Sequence, residues 1–399
     1  MRSFSMPCST PGDTAESSPV RAPSTAQADS GRSGRSGVGA PTVRIDTVTV
    51  MATNEPDFVL NRPGALIAAI PAVLGFVPER SLLLAALTAG MLGPVLRVDL
   101  TDDLPDRIDD VVAVAAVADP EAMIVVIVDA ARAPCPECAG DHQRLCAVVG
   151  EALDRRGIAL RAAHIVDRIA VGGRWHCVDR CGAGGAIDDP ATSPLAVAAV
   201  VAGRRLYGSR ADLQEVVGTR DPQRRAQIAA LLGEPPPPAK RRLSRATRRR
   251  ADLAAILTAA ERHADGHRLD DADIAGMGRA LLDVDVRDAL YGLAIGESAD
   301  AAESLWTVLA QILPGRPRAE ALVLLAFSAY VRGSGALAGV ALEAALREHP
   351  EHRMAGMLDT ALQSGMPPER IRGLAMTGYR LAQRLGVTLP APCHLDRPA

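Results

Sequence analysis

The chain has 399 residues, enough for two or three domains with sizeable cores, and its formal net charge at pH 7 is only -3. Charges that nearly cancel exclude a protein that coats nucleic acid through its overall charge. Lys240 is the only lysine, which removes Schiff-base chemistry and a phosphate-binding lysine from every other position.

The first 42 residues are rich in Ser, Gly, Pro, Ala and Arg and contain few large apolar side chains. This composition buries too little surface to offset the entropy of ordering, so we predict a disordered leader over residues 1–42. An alternative interpretation is that the protein starts at Met51. No secretory signal is recognisable, so we expect a cytoplasmic protein whose cysteines are thiols or metal ligands rather than disulfides.

The densest apolar stretch runs from Arg62 to Leu100. Apolar residues at spacings of three and four predict a helix in its first part, with a kink or a boundary at Pro71. Ser81–Leu87 and Val95–Leu100 are typical of buried strands, joined by a turn at Gly90–Pro94. Each apolar half is shorter than the roughly 20 residues that a membrane-spanning helix needs, which excludes a membrane hairpin.

Strands alternate with helices through the rest of the first half. We predict strands at Met123–Val128 and Ile158–Val166, a hairpin arm at Ile169–Val178, and helices at Val111–Ala118, Asp141–Arg156, Ser193–Val201 and Ser209–Val217. This alternation predicts an α/β layered domain with a mixed sheet over residues 43–232.

A run of four prolines, Pro235–Pro238, indicates a stiff linker and a domain boundary. It leads into Lys240–Arg250, KRRLSRATRRR, which has seven basic residues in eleven. We assign residues 233–250 to this Pro-rich and basic segment. The segment is either the solvated start of a long helix or a contact for nucleic acid or an acidic partner. The candidate partner-binding residues are Arg241, Arg242, Arg245, Arg248, Arg249 and Arg250.

Residues 251–385 predict an all-α domain, followed by a flexible tail at 386–399. The predicted helices are Asp271–Leu282, Val286–Ile295, Ala299–Leu313, Ala319–Arg332, Ala336–Glu348, His352–Ser364 and Pro368–Tyr379. Ala319–Pro350 resembles a tetratricopeptide helical hairpin, with small and large packing positions counted back from the closing Pro350. We therefore describe the domain as repeat-like, an architecture that usually binds peptides or other proteins.

Several short motifs are shared with one family. They are RPGALIAAIPAVLGFVPERSLLL from Arg62, RVDL from Arg97, Gly173-Arg174-Trp175, Ser193-Pro194-Leu195-Ala196, Gly203-Arg204-Arg205-Leu206, Leu325-Ala326-Phe327 and Ala341-Leu342-Glu343. With them the chain resembles an actinobacterial family catalogued as domain of unknown function 4192, over about Asn61 to Thr377. The resemblance implies a shared fold and lineage and brings no activity. It also places cysteines near Cys177 and Cys181.

One cluster of residues could carry chemistry. Cys135, Cys138, His142 and Cys146 have the spacing C-x2-C-x3-H-x3-C, which resembles a zinc knuckle but is one residue short in both gaps. Cys177 and Cys181 offer an alternative second pair of ligands. The candidate metal ligands are Cys135, Cys138, His142, Cys177 and Cys181, which would hold zinc or an iron–sulfur centre. Ordinary thiols and a redox pair are the alternatives.

Motifs for a catalytic serine, a phosphate-binding loop, a dinucleotide site and a zinc protease are missing from the sequence. Our first hypothesis is therefore a binding or scaffold protein, not an enzyme, that docks a protein partner on its helical domain. The second is an enzyme or small-molecule-binding protein with a site near Arg174, Trp175 and Asp188. The third is a metal-binding regulator linked to nucleic acid through the basic segment.

Overall fold

The computed structural model describes residues 45–48, 62–88, 91–133, 139–201, 204–235 and 238–392. They belong to one compact unit, Val43–Ala399. The predicted leader, the alternative start at Met51 and the end of the predicted tail lie outside the described residues. Within the described part, no helix is both long and apolar enough to cross a membrane.

A mixed sheet of seven strands forms the first half of the unit. The strands are β1 (Ile45–Val48), β2 (Ser81–Thr88), β3 (Met91–Asp99), β4 (Ala122–Val128), β5 (Ala159–Val166), β6 (Arg174–Cys177) and β7 (Gly184–Ala186). Their order is β1-β3-β2-β4-β5-β6-β7. β4 and β5 pair in parallel, and the other neighbouring strands pair antiparallel. The prediction of an α/β region with a mixed sheet is confirmed.

Helix α1, Pro63–Leu74, forms where apolar residues recur at helical spacing. Pro63 is well placed in the first turn, where a missing amide hydrogen costs nothing. One of our two alternatives placed a helix boundary at Pro71, but the helix continues to Leu74. Gly75 then ends it in the left-handed conformation, with a φ of 84° that favours glycine.

Strand β3 begins earlier than predicted, because Met91–Pro94 extend the strand instead of forming a turn. The pairing with β2 shifts between Ala85 and Leu87, so that two residues of β3, Gly93 and Pro94, lie opposite one residue of β2. Such a bulge tolerates Pro94, which has no N–H to give to the ladder.

Helices cover both faces of the sheet. Helix α2, Ile108–Ala115, and helix α3, Ala139–Asp154, pack on one face. α3 carries the chain back across the sheet, which is why β4 and β5 run parallel. Side chains of β2 alternate between the layers: Leu82 belongs to the core with α2 and α3, and Leu83 belongs to the core with α1. Burial on both faces explains the continuous apolar runs in the sequence.

After β7, the regular elements of the described residues are all helices, and the prediction of an all-helical region after the sheet is confirmed. The α-helices are α4 (Pro194–Val201), α5 (Arg210–Val216), α6 (Pro222–Gly233), α7 (Pro238–Arg241), α8 (Arg245–Ala264), α9 (Asp271–Leu281), α10 (Val284–Leu290), α11 (Ala299–Ile312), α12 (Gly315–Val331), α13 (Gly335–Glu348), α14 (Arg353–Gln363) and α15 (Pro368–Arg384). The first three lie between the sheet and the predicted basic segment. α7 and α8 begin inside that segment.

Helix α12 lies at the centre of the helical region. All its residues from Pro317 to Val331 are buried, and α9, α11, α13, α14 and α15 all pack against it. A helix that is buried all round carries apolar residues on every face. α12 and α13 are the two helices predicted for the hairpin Ala319–Pro350.

The helical region and the sheet share one core. Apolar residues of α1, of β2 and of α12 belong to a single buried cluster. α13 and α14 lie against the edge strand β1, and α13 also lies against α5. Edge strands expose unpaired backbone groups, so these helices protect one edge of the sheet from pairing with another chain.

Arg318 ties several elements together. Its side chain is buried and donates to the carbonyl oxygens of Val217 and Ala310, at 2.8 Å each. These carbonyls belong to the ends of α5 and α11, where helical partners are lacking. A third donor atom lies 2.7 Å from a carboxylate oxygen of Glu348 at the end of α13.

We expect the substitution Arg318→Met to lower the free energy of unfolding by about 3–5 kcal/mol, because it leaves two buried carbonyl oxygens without a donor and removes a partly buried ion pair with Glu348. Urea denaturation followed by circular dichroism measures the loss. The matched control is Arg316→Met on an exposed arginine of the same helix turn, where we expect a change within about 0.5 kcal/mol. Equal effects of the two substitutions would contradict the role of Arg318.

Candidate functional site

A buried carboxylate and a buried imidazole meet at the carboxyl end of strand β4. Asp129 directly follows β4, and His142 lies in the first turn of α3. His142 Nε2 is 3.2 Å from Asp129 Oδ2, and the two side chains are 5% and 10% exposed. The carboxyl end of a strand and the start of its crossover helix meet at the same edge of an α/β sheet, where ligands usually bind.

Asp129 is held rigidly. Its amide donates to the carbonyl of Val166 at 2.9 Å, and its carboxylate accepts from the amide of Arg132 at 3.2 Å. The carboxylate therefore fixes the orientation of the His142 ring. Among the described residues, His142 Nδ1 has no hydrogen-bond partner although it is buried. A ring that donates one N–H to a carboxylate presents its other nitrogen as a lone pair.

Two buried cysteines lie on α3 and on β6. Cys146 lies one turn after His142 on α3, and Cys177 ends β6. Burial raises the pKa of the Cys146 thiol to about 12, with further increases from the charges of Asp179 and Cys177. Burial also raises the pKa of Cys177 to about 11. Both are therefore protonated thiols at neutral pH, which disfavours a reactive nucleophile.

The remaining predicted ligands lie apart or outside the described residues. Cys181 is exposed on the turn after β6, and Cys135 and Cys138 fall in the interval 134–138, which is not described. Among the described side chains, no three of the His, Cys, Asp or Glu type converge to hold a metal. The metal centre therefore stays a prediction that depends on Cys135 and Cys138.

The residues of the second hypothesis make contacts within the chain. Asp188 accepts from Arg62 at 2.7 Å, and the amide of Arg174 donates to Asp167 at 2.7 Å. Trp175 packs edge-on against the His164 ring, with centroids 4.9 Å apart. These contacts fasten β6 and the segment after β7 to neighbouring elements.

The start of α1 packs tightly beside Trp175. A Cβ at Gly64 would lie only 2.6 Å from the carbonyl oxygen of Ala186 and 3.5 Å from Trp175 Nε1. Glycine is therefore required at this position for close packing of the helix on β7.

The basic segment folds into the short helix α7 and the first turns of α8. Lys240 donates to Asp252 at 2.7 Å and joins the two helices. Ser244 caps α8 by accepting from the amide of Thr247 at 3.1 Å. Arg241, Arg242, Arg245 and Arg250 are exposed, and Arg248 and Arg249 are partly buried.

An aspartate that the sequence reasoning missed organises this segment. Asp283, just before α10, accepts from Arg249 Nε at 2.9 Å and lies 3.8 Å from Arg245 Nη2. Arg249 also pairs with Asp285. Burial alone would raise the pKa of Asp283, but the hydrogen bond and the charge of Arg249 lower it below its ordinary value. No periodicity links residues 34 positions apart, so the sequence offered no signal for this contact.

Exposed apolar side chains flank this aspartate. Leu282 is 44% exposed and Val284 is 53% exposed. α8 lies against both α9 and α10, and Asp283 between these two helices contacts Arg245. Exposed arginines and exposed apolar side chains therefore occur on neighbouring helices. We call Arg241, Arg242, Arg245, Leu282 and Val284 the basic surface.

A shallow cleft lies at the other end of α8. Its volume is about 200 Å³, and Arg224, His263, His267 and Arg268 contribute to its lining. Arg224 donates to Asp271 at 2.7 Å and to the carbonyl of Leu269 at 2.8 Å, so its charge is already paired. The cleft is smaller than the roughly 300–1,000 Å³ typical of small-molecule sites.

Comparison with known protein families gives a match over most of the chain. The family model described as "Domain of unknown function (DUF4192)" matches residues 63–369. The matched range contains α3, β6 and the basic surface. No curated protein and no solved structure matches the chain.

We expect acid to destabilise the fold through His164, whose burial lowers its pKa to about 4. Between the unfolded pKa of about 6.5 and that value the unfolded chain binds more protons, so the stabilisation is complete above pH 6.5 and is lost as the pH falls. The free energy of unfolding should drop by about 2 kcal/mol more in the wild type than in His164→Phe between pH 7 and pH 4.5.

Urea titrations at pH 7, 6, 5 and 4.5 test this expectation. Phenylalanine keeps a ring against Trp175 and removes the titrating group. The control is His267→Phe at an exposed histidine, which should keep the wild-type pH dependence. Parallel pH profiles for the wild type and His164→Phe would refute the assignment.

Proposed function

We propose that this chain, which belongs to the DUF4192 family, is a binding protein that docks an acidic protein partner on its basic surface. The proposal refines the first of our three hypotheses. The observation that carries it is the contact of Asp283 with Arg249 and Arg245, since the two chain neighbours of Asp283, Leu282 and Val284, are exposed apolar residues.

The arginines of the segment differ in their roles. Arg249 is engaged by two aspartates and is only 17% exposed, so it positions the surface instead of meeting a partner. Arg245 is 77% exposed, and its contact with Asp283 is long, at 3.8 Å. Arg241 and Arg242 are exposed at the end of α7. These three side chains are available to carboxylates of a partner.

The mixed character of the surface favours a protein over a nucleic acid. The buried centre of a protein interface is more apolar than the rest of the surface, and arginine is enriched in interfaces. Binding of single-stranded nucleic acid relies on aromatic side chains that stack on bases. The segment Lys240–Arg250 contains no aromatic residue, and the net charge of the chain is slightly negative.

A second candidate function is the binding of zinc or an iron–sulfur centre beside α3. It is favoured by His142 Nδ1, which has no hydrogen-bond partner among the described residues, while the other ring nitrogen meets Asp129. Metal-binding histidines usually make such a second contact with a carboxylate. We propose that His142 and cysteines from the pairs Cys135/Cys138 and Cys177/Cys181 supply the ligands. A centre of this kind would hold the crossover between β4 and α3 in place.

Reversing the charge of the basic surface should abolish partner binding. The full-length chain, immobilised, is incubated with a nuclease-treated extract of its source cells, and retained proteins are quantified by mass spectrometry. We expect a protein with an acidic segment to be retained at 0.15 M salt, and at least tenfold less of it on the variant R241E/R242E/R245E. Raising the salt to 0.5 M should have the same effect, since screening weakens charge pairs at the rim of an interface.

The matched control reverses three exposed arginines elsewhere in the helical region, R316E/R347E/R353E, and should retain the partner. The variant L282S/V284S should lose it without any change of charge. Equal retention by both triple variants would refute the proposal, as would retention only in extracts that still contain nucleic acid.

Elemental analysis tests the second candidate. We expect about one zinc ion, or a stoichiometric iron centre, in the full-length chain purified anaerobically without chelator. The variants His142→Ala and Cys177→Ser should each lose the metal, whereas His267→Ala should keep it. Metal-free wild-type protein under these conditions would rule the centre out.

A further inference from the structure

Helix α4 exposes a stripe of apolar side chains. The helix has the sequence PLAVAAVV and contains no polar residue. Ala196 and Ala199 are buried, and the helix packs beside α1. On the opposite side Val197, Val200 and Val201 are 53%, 62% and 83% exposed. With exposed Pro194 they form one line at spacings of three and four.

Neither packing nor helix propensity within the chain accounts for this stripe. Valine is a weaker helix former than Ala, Glu or Lys, because its branched side chain is restricted in a helix. Contiguous exposed apolar patches of more than roughly a few hundred Å² are uncommon on proteins that act alone and mark interaction sites. The three exposed valines therefore point to a surface that is covered in the functional state.

The segments that flank α4 in the chain carry opposite charges. Asp188 and Asp189 precede the helix, and exposed Arg204 and Arg205 follow it. Asp188 is paired with Arg62 at 2.7 Å. Asp189 accepts from the amide of Ala191 at 2.9 Å through one oxygen, which leaves its charge uncompensated by an ion pair among the described side chains.

We propose that a second copy of this chain covers the stripe, with the two α4 helices antiparallel across a two-fold axis. In this arrangement the apolar stripes face each other. Each acidic end, with Asp189, then lies opposite Arg204 and Arg205 of the other copy. A two-fold interface requires a surface that is complementary to itself, and a helix with an apolar middle and opposite charges at its ends meets that requirement.

The charges that flank α4 favour a second copy of the chain over an anionic membrane. An anionic membrane would attract the arginine end and repel the aspartate end, and eight residues span only about 12 Å. A stable dimer usually buries about 800 Å² on each partner. The stripe would supply the apolar centre of such an interface, and Leu206, which is 36% exposed, would extend it.

Sedimentation velocity of the full-length chain between 1 and 100 µM tests the proposal. We expect a reversible dimer for the wild type and a monomer throughout this range for V197E/V200E. The control V171E changes another exposed valine, which is 69% exposed and lies outside α4, and should dimerise like the wild type. Circular dichroism checks that each variant is folded, and V197S/V200S replaces the glutamate variant if that one is not.

Charge variants test the antiparallel arrangement. R204E/R205E should weaken dimerisation at least tenfold, because it places glutamates opposite Asp189 of the other copy. Adding D189N to that variant should restore part of the affinity, since asparagine still caps the turn but carries no charge. A monomeric wild type, or a V197E/V200E dimer of unchanged affinity, would overturn the proposal. A dimerisation affinity of the charge variants equal to that of the wild type would overturn the antiparallel arrangement.

Discussion

The packing of the helical region depends on the buried guanidinium of Arg318. A guanidinium has five N–H donors in one rigid plane, so it can serve several acceptors at once, which an ammonium group cannot do in the same geometry. Here it joins the ends of α5 and α11 to Glu348 at the end of α13. Since α4 and α5 connect the sheet to the later helices in the chain, this contact fastens those helices to the connecting segment. The shared apolar core then extends without interruption from α1 to α12.

The surfaces that we propose for binding are supported by this rigid interior. The basic surface is positioned by Asp283 and Arg249, whose contacts are internal to the chain. The α4 stripe is presented because Ala196 and Ala199, small residues, let the helix approach α1 closely on its other side. The α4 stripe is one face of a helix whose opposite face packs on α1, whereas the basic surface combines residues of α7, α8 and the junction between α9 and α10. The two surfaces lie on different elements, so occupation of one does not require the residues of the other.

The strands and most helices could be predicted from the sequence, because buried residues are apolar and so produce runs or regular spacings of apolar residues. β4 is a short apolar run bounded by polar residues, and Gly157, with a φ of 71°, stops the chain from continuing α3. Helix α6 was missed because it buries only one of its residues, Ile228, and so shows little periodicity.

The side-chain contacts of the candidate sites could not be predicted from the sequence, for another reason. Asp129 meets His142 across 13 residues, and Asp283 meets Arg249 across 34. Such pairings are set by tertiary packing and not by spacing. A carboxylate directly after a central strand, as at Asp129, is the one local signal that could have been used.

The cover of the edge strand β1 has a consequence for synthesis on the ribosome. β1 ends at Val48, whereas α13, which lies against it, begins at Gly335. At about 5–20 residues per second, translation of the intervening chain takes roughly 15–60 s. During that interval the sheet can form its strand pairs but its edge stays open to other nascent chains. Growth conditions that slow elongation in the second half of the message should therefore increase the demand for chaperones on this protein, even though the finished fold is protected.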